Sequence, residues 1–376
     1  MATRLRYVSE KKAWSDGQAL EFTGFIPHIG PNGGRVIIRT LHLYMDYVMT
    51  IATAAIQGED LWRLFGKFEL VKATGGTRWK LFGDQCRIAA YAWMPKGAVP
   101  ESPDIAIGAG TAGTWAIPIP VAKPRMRDGE DFAMPADDFG KAVITSMGAN
   151  DLDIGTSDVT FTSGSYYIWA ECYEEVGKVK FYLDDYVKSD DLQSQAQTVL
   201  TGLDGKLQDL LIHARGASGG ASLANFTDVT IDEPERLLQK TKRTELLHEY
   251  RVRTRNASNG TSAQGAEVTV DPFVQGTAVA IFLHDEFTSC WDGPYVERLK
   301  LDMTNTVTLA GSRVISRVVK PRDKDAANAQ AVAHGVTGGV EVATAGKTHR
   351  SLGNFDKKLQ PYLPMEAPVG DGKVKA

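Results

Sequence analysis

Between Arg35 and Ile51 apolar and polar side chains take turns: Leu41, Leu43, Met45 and Tyr47 are interleaved with His42, Tyr44 and Asp46. A period of two sends successive side chains to opposite faces of an extended chain, so this stretch buries its apolar set as a strand with one face on a core. The same texture recurs. A polar break at Gln57-Gly58-Glu59-Asp60 leads to Leu61 to Val71, a turn at Gly75-Gly76, then Trp79 to Phe82 and Cys86 to Trp93. Further strands are expected at Trp115 to Val121, Val143 to Met147, Val159 to Phe161, Tyr166 to Tyr173 and Val179 to Val187. The second half continues with Tyr250 to Thr254, Glu267 to Val270, Thr277 to Leu283, Val296 to Met303, Val307 to Leu309 and Arg313 to Val319. Many short strands, with 37 Gly and 16 Pro to turn the chain, predict a mainly β protein built of sandwiches.

A length of 376 residues exceeds what one core supports, about 250–300 residues, so two domains are expected. Between Asp190 and Arg215 the period changes. Leu192, Val199, Leu200, Leu203, Leu207, Leu210 and Leu211 lie at helical spacing, which predicts a linker helix over residues 191–215. The division that follows is an N-terminal arm (1–19), a first β-domain (20–190), the linker, a second β-domain (216–335) and an extended C-terminal tail (336–376). A second helix is expected from Asp232, an N-cap two residues before Pro234, toward Leu247, and a short Ala-rich one at Asp325 to Ala333. Met94 to Gly113, rich in Pro, Gly and Ala, reads as a surface loop. Arg35 to Gly76 and Thr277 to Gly311 share an order of strand, gap, strand and Gly turn, which suggests related halves.

Residues that carry chemistry are sparse. Forty-two basic against 46 acidic side chains leave a net charge of -4, which gives no global basis for a sequence-specific nucleic-acid partner. Cys86, Cys172 and Cys290 are few and far apart, as buried free thiols of a reducing compartment are. The start Met1-Ala2-Thr3-Arg4-Leu5-Arg6 lacks the apolar core of a signal peptide, and no run nears the roughly 20 apolar residues of a membrane span. The sequons at Asn225, Asn256 and Asn259 are accordingly read as chance matches. The seven histidines are scattered without metal-ligand spacing. Gly346-Lys347-Thr348 ends like a phosphate loop, but Glu341 stands where that pattern needs Gly. Asp151-Leu152-Asp153-Ile154-Gly155 departs from a calcium loop in the place of its Gly. The acid pairs Asp137-Asp138, Asp184-Asp185 and Asp190-Asp191 read as solvated loop acids, because neighbours on a strand face opposite ways. No catalytic residue, cofactor or metal is expected. The one candidate site is a basic strand: Arg251, Arg253 and Arg255 alternate with Val252 and Thr254 and would form an inter-subunit or lipid-facing edge.

The order of elements resembles the double jelly-roll major capsid proteins of tailless icosahedral double-stranded DNA viruses, notably bacteriophages with an internal membrane. The residues that carry this are Gly34 to Leu43, Glu59-Asp60-Leu61-Trp62-Arg63-Leu64-Phe65, Phe68-Glu69-Leu70 with Gly75-Gly76, Ile117-Pro118-Ile119-Pro120 with Asp131 to Phe139, and Phe226-Thr227-Asp228-Val229-Thr230. The resemblance spans roughly residues 20 to 335 and rests on layout. It implies two tandem eight-stranded jelly-roll β-sandwiches, a homotrimer acting as a pseudo-hexagonal capsomer, and a shell tiled by neighbouring trimers. It further implies penton and minor capsid proteins and the internal viral membrane as partners, with assembly in the host cytoplasm and no enzymatic role. Two other readings compete: a minor spike or receptor-binding virion protein, and a carbohydrate-binding sandwich or polysaccharide hydrolase. The last would stack sugars on Trp93, Trp115, Tyr166, Tyr167, Trp169 and Trp291.

Overall fold

The computed structural model describes residues 4–15, 17–52, 62, 65–95, 98–99, 107–124, 129–146, 159–177, 179–180, 182–191, 197–200, 206–213, 226–233, 236–254, 273, 278–282, 291–292, 298–303, 313–320 and 342–343. The first half contains β1 (Arg4–Val8), β2 (Ala19–Phe22), β3 (Arg35–Ile51), β4 (Lys67–Lys72), β5 (Thr77–Phe82), α1 (Gly83–Trp93), β6 (Gly108–Pro120), β7 (Phe139–Thr145) and β8 (Val159–Glu175). The second half contains β9 (Asp184–Asp191), β10 (Gln197–Val199), β11 (Lys206–His213), β12 (Phe226–Glu233), β13 (Arg236–Lys242), α2 (Arg243–Thr254), β14 (Ala278–Phe282), β15 (Arg298–Met303) and β16 (Arg313–Lys320).

In the first half the strands pair in the orders β1-β8-β3-β6 and β2-β7-β4-β5; in the second, β9-β16-β11-β14 and β10-β15-β12-β13. Every strand of the second half thus repeats the place of the strand eight before it, and each half has the four-plus-four order of a jelly roll. The helices obey the same rule, α1 following β5 as α2 follows β13. This repeat differs from the one expected from the sequence. The matching units are hairpin plus helix, Lys67–Trp93 and Phe226–Thr254, not Arg35 to Gly76 with Thr277 to Gly311.

The rolls are joined edge to edge. β5 of the first pairs in parallel with β9 of the second, Trp79 opposite Val187 and Lys80 opposite Lys188, so one sheet runs through both rolls. Its neighbour in the first roll is held by the long strand β3. From Leu41 onward β3 alternates as its sequence demands, with Leu41, Leu43, Met45, Met49 and Ile51 inside. Val36, Ile37 and Ile38 break the alternation because both faces are covered: Val36 and Ile38 join the main core, while Ile37 packs with Ala122, Ala133 and Tyr182.

Several expected elements change type. The arm is not separate, because Arg4 to Val8 pairs with Tyr173 to Trp169 as the edge of the first sheet. Cys86 to Trp93 is helix. Gly83-Asp84-Gln85 opens it, the Gln85 side-chain carbonyl accepting the Phe82 N–H at 3.1 Å, and it ends before Pro95. Nearly all its residues are buried, so no polar stripe marks the helical period. In place of a linker helix over 191–215 the chain forms β10 and β11. Leu207 to His213 are all buried, and a strand covered on both faces reads as a continuous apolar run that periodicity cannot separate from helix. The helix expected from Asp232 lies instead at Arg243–Thr254, after two strands. Val159 to Tyr173 is one strand with a bulge between Phe161 and Ser163. The stretches at 255–272, 304–312 and 325–333, and all of the tail but Val342–Ala343, lie outside the described residues.

Gly83 shows how tightly α1 is seated. A Cβ there would stand 1.9 Å from the Trp62 carbonyl oxygen, so Gly83→Ala forces helix and loop apart. We expect a loss of about 1–3 kcal/mol, read as a lower urea midpoint.

Candidate functional site

The charged residues that the fold gathers are at the seam between the rolls. Arg78 comes from β5, Lys123 from the segment after β6, Asp185 from β9, Gln208 and Asp209 from β11 and Arg317 from β16. All six are buried, Lys123, Gln208, Asp209 and Arg317 completely. Lys123 Nζ and Arg78 both bind the Asp185 carboxylate, Arg78 Nε donating at 2.8 Å, so two cations of the first roll meet an anion of the second. Arg78 also donates to the Phe132 carbonyl at 2.5 Å. On the other side Arg317 pairs with Asp209 at 2.7 Å and donates to Gln208 Oε1 at 3.0 Å, while Trp93 Nε1 crosses the seam to Asp209 at 3.2 Å. Aromatic rings close the cluster: Lys123 Nζ lies 4.7 Å from the Phe132 centroid and 5.4 Å from that of Trp93, and the Arg317 guanidinium 5.3 Å from Trp93.

Burial disfavours the Lys123 ammonium and pushes its pKa down to about 7, against the pull of Asp185, with Arg317 and Arg78 adding to the push. Burial alone would raise the Asp185 pKa, but Lys123, Arg78 and Arg317 together hold it below the ordinary carboxylate value. Between pH about 7 and 10.4 the unfolded chain keeps a proton on Lys123 that the folded chain has released. Stability contributed by this site therefore rises with pH across that window. The pH dependence of the unfolding free energy should be shallower there in Lys123→Met.

A second charged group lies on the outward face of the first sheet. Glu171 meets Arg4 at 3.0 Å, His42 at 3.5 Å and Arg39 at 3.9 Å. Its pKa falls to about 2, first through the His42 hydrogen bond and then, against partial burial, through Arg4 and Arg39. Beside it Tyr44 stacks on Tyr167 at 5.0 Å, Trp169 lies 4.8 Å from Tyr44, and the Arg6 guanidinium sits 4.7 Å over Trp169.

The sequence-derived site residues fare differently. Arg251 and Arg253 are in α2, not on a strand, and residues two apart on a helix stand roughly 200° apart, so they do not share a face as the strand reading required. Arg255 lies outside the described residues. Of the acid pairs, Asp137 is buried on Arg35 through bonds of 2.9 and 2.7 Å, and Asp185 is in the seam; neither is a solvated loop acid. Asp184 faces the other way and binds Lys72 at 2.5 Å. Cys86 and Cys172 are buried free thiols, and Cys290 is outside the described residues, as are the sequons, the Asp151 loop and Gly346-Lys347-Thr348. Trp93, Trp115 and Tyr166 are in the core, where no sugar can stack; Tyr167 and Trp169 are on the outward face. Neither Lys123 nor Asp185 carries a local signal of its role, since 62 residues separate them.

No protein-family model and no curated protein matches the chain. Solved structures do. The major capsid protein of Sulfolobus turreted icosahedral virus superposes with a TM-score of 0.58 at 14% identity, covering 84% of this chain and 96% of that one. The major capsid protein P2 of bacteriophage PM2 does so with 0.51 at 9% identity, over 86% and 99% of the two chains. The Faustovirus major capsid protein gives 0.52 at 7% identity, over 85% and 90%. At these identities the likeness is one of fold, and the fold is a double jelly roll.

Proposed function

We propose that this chain is a major capsid protein, a structural subunit that trimerises into pseudo-hexagonal capsomers and tiles an icosahedral shell. The observation that carries the reading is the pair of rolls with one strand order, side by side in a single chain. Such a chain offers six similar units per trimer, so one gene product can fill hexagonal positions with repeated contacts. The solved double jelly rolls it resembles are major capsid proteins, which supports the same reading. The buried ionic seam suits it too, since a tile needs a fixed angle between its halves.

In this reading the role is mechanical and non-enzymatic. The partners are further copies, neighbouring trimers, penton and minor capsid proteins and an internal viral membrane, and assembly takes place in the host cytoplasm. Purified protein should run in light scattering as a stable trimer of about 123 kDa, three times 40.9 kDa. A monodisperse monomer at micromolar concentration would sink the proposal.

A further inference from the structure

The two rolls can be put in register by a feature they share. In β3, Arg39 is an extra residue between Thr40, opposite Glu171, and Ile38, opposite Cys172. In β11, Gln208 is an extra residue between Asp209, opposite Arg317, and Leu207, opposite Val318. Superposing the two bulges sets Glu171 on Arg317, Trp169 on Ile315, Tyr167 on Arg313, His42 on Leu211, Tyr44 on His213 and Arg6 on Val187. Pairing across the strands agrees, because Tyr44 lies opposite Tyr167 as His213 lies opposite Arg313.

In the second roll this face is covered. Val187, Leu211, Ile315 and Arg317 are completely buried, and the cover is the first roll's hairpin and helix: Asp84 of α1 faces His213 at 3.8 Å, Phe82 underlies the Arg313 guanidinium at 4.4 Å, and Trp93 underlies Arg317. In the first roll the same face carries Arg6, His42, Tyr44, Tyr167, Trp169 and Glu171, of which Arg6 is exposed and the rest half-buried.

We propose that this face seats a second copy of the chain, whose β13 and α2 lie on it as β5 and α1 lie on the second roll within one chain. The proposal rests on the capsid-subunit reading and names the surface that closes the trimer. The residues at corresponding positions are complementary. Both helices start directly after the preceding strand, so Phe82, Asp84 and Trp93 correspond to Lys242, Thr244 and Arg253. Within the chain an aromatic ring of the cover meets a cation of the face, Phe82 with Arg313. Between copies the types are exchanged, Lys242 with Tyr167. The Trp93–Arg317 contact becomes Arg253 with Glu171, an ion pair. The contact is heterologous, and because it copies the junction inside the chain, three chains bring six equivalent junctions to closure.

The test joins Tyr44→Cys and Thr244→Cys in one chain, oxidises it, and runs a non-reducing denaturing gel. A ladder ending at three linked chains, absent from either single variant, is the expected result. Independently, Glu171→Arg should reduce the trimer fraction at least tenfold in light scattering, and Arg253→Glu in the same chain should restore it; Glu171 partners inside the chain give no reason for that rescue. A wild-type trimer with neither disulfide ladder nor rescue overturns the proposed surface and leaves the capsid reading standing. A wild-type chain that stays monomeric overturns the capsid reading itself, and this surface with it.

Discussion

Asp185→Ala is expected to cost about 3–5 kcal/mol of folding free energy, the loss typical when one member of a buried ionic group is removed. Asp185 is the shared anion of Lys123 and Arg78, and it is completely buried. Without it two cations of the first roll face each other in a buried seam that already holds Arg317. Lys123 can shed its proton at modest cost, since its pKa is already near 7, but the Arg78 guanidinium cannot. Urea denaturation measures the loss. Adding Lys123→Met to Asp185→Ala should recover part of it, because an apolar side chain then replaces the buried amine left without its carboxylate; losses that simply add across the two single variants and the double variant would show that Lys123 and Asp185 are not energetically coupled.

Trp93→Ala should be nearly as damaging, about 3–5 kcal/mol for a fully buried large aromatic. Its ring meets Trp79 edge-on at 5.6 Å, its N–H crosses to Asp209, and its face supports Arg317. Two of these contacts, Asp209 and Arg317, cross the junction, so the loss should weaken the coupling of the rolls as well as the first roll itself. Calorimetry should then resolve two unfolding transitions where the wild type has one, and limited proteolysis should cut between Glu175 and Asp184, where the chain passes from one roll to the next. A single transition, merely shifted, would mean that the rolls stay coupled through the β5–β9 pairing.

Period-two alternation was a faithful guide wherever one face of a strand meets the core and the other does not. The alternating part of β3 was legible for that reason. It failed at α1 and β11, which are enclosed on all sides. There the residue pattern no longer records where solvent is, so an Ala-rich helix passed for a strand and a Leu-rich strand for a helix. The basic run differs again: three alternating arginines fit a strand, yet Arg251 and Arg253 continue a helix that begins at Arg243. In the proposed trimer Arg253 would meet a neighbouring subunit through the position of α2, not through a shared strand face.

What the chain states locally is therefore its class: mainly β, in two halves, with turns in the right density and few residues that invite catalysis. What it does not state is how the halves meet. The strand β9 takes β5 as neighbour, and Lys123 finds Asp185, only after two sheets have formed and one continues into the other. Those contacts join residues far apart in sequence, and the charges involved read individually as ordinary surface lysine, arginine and aspartate. Their burial is a property of the junction, so no local pattern could announce it.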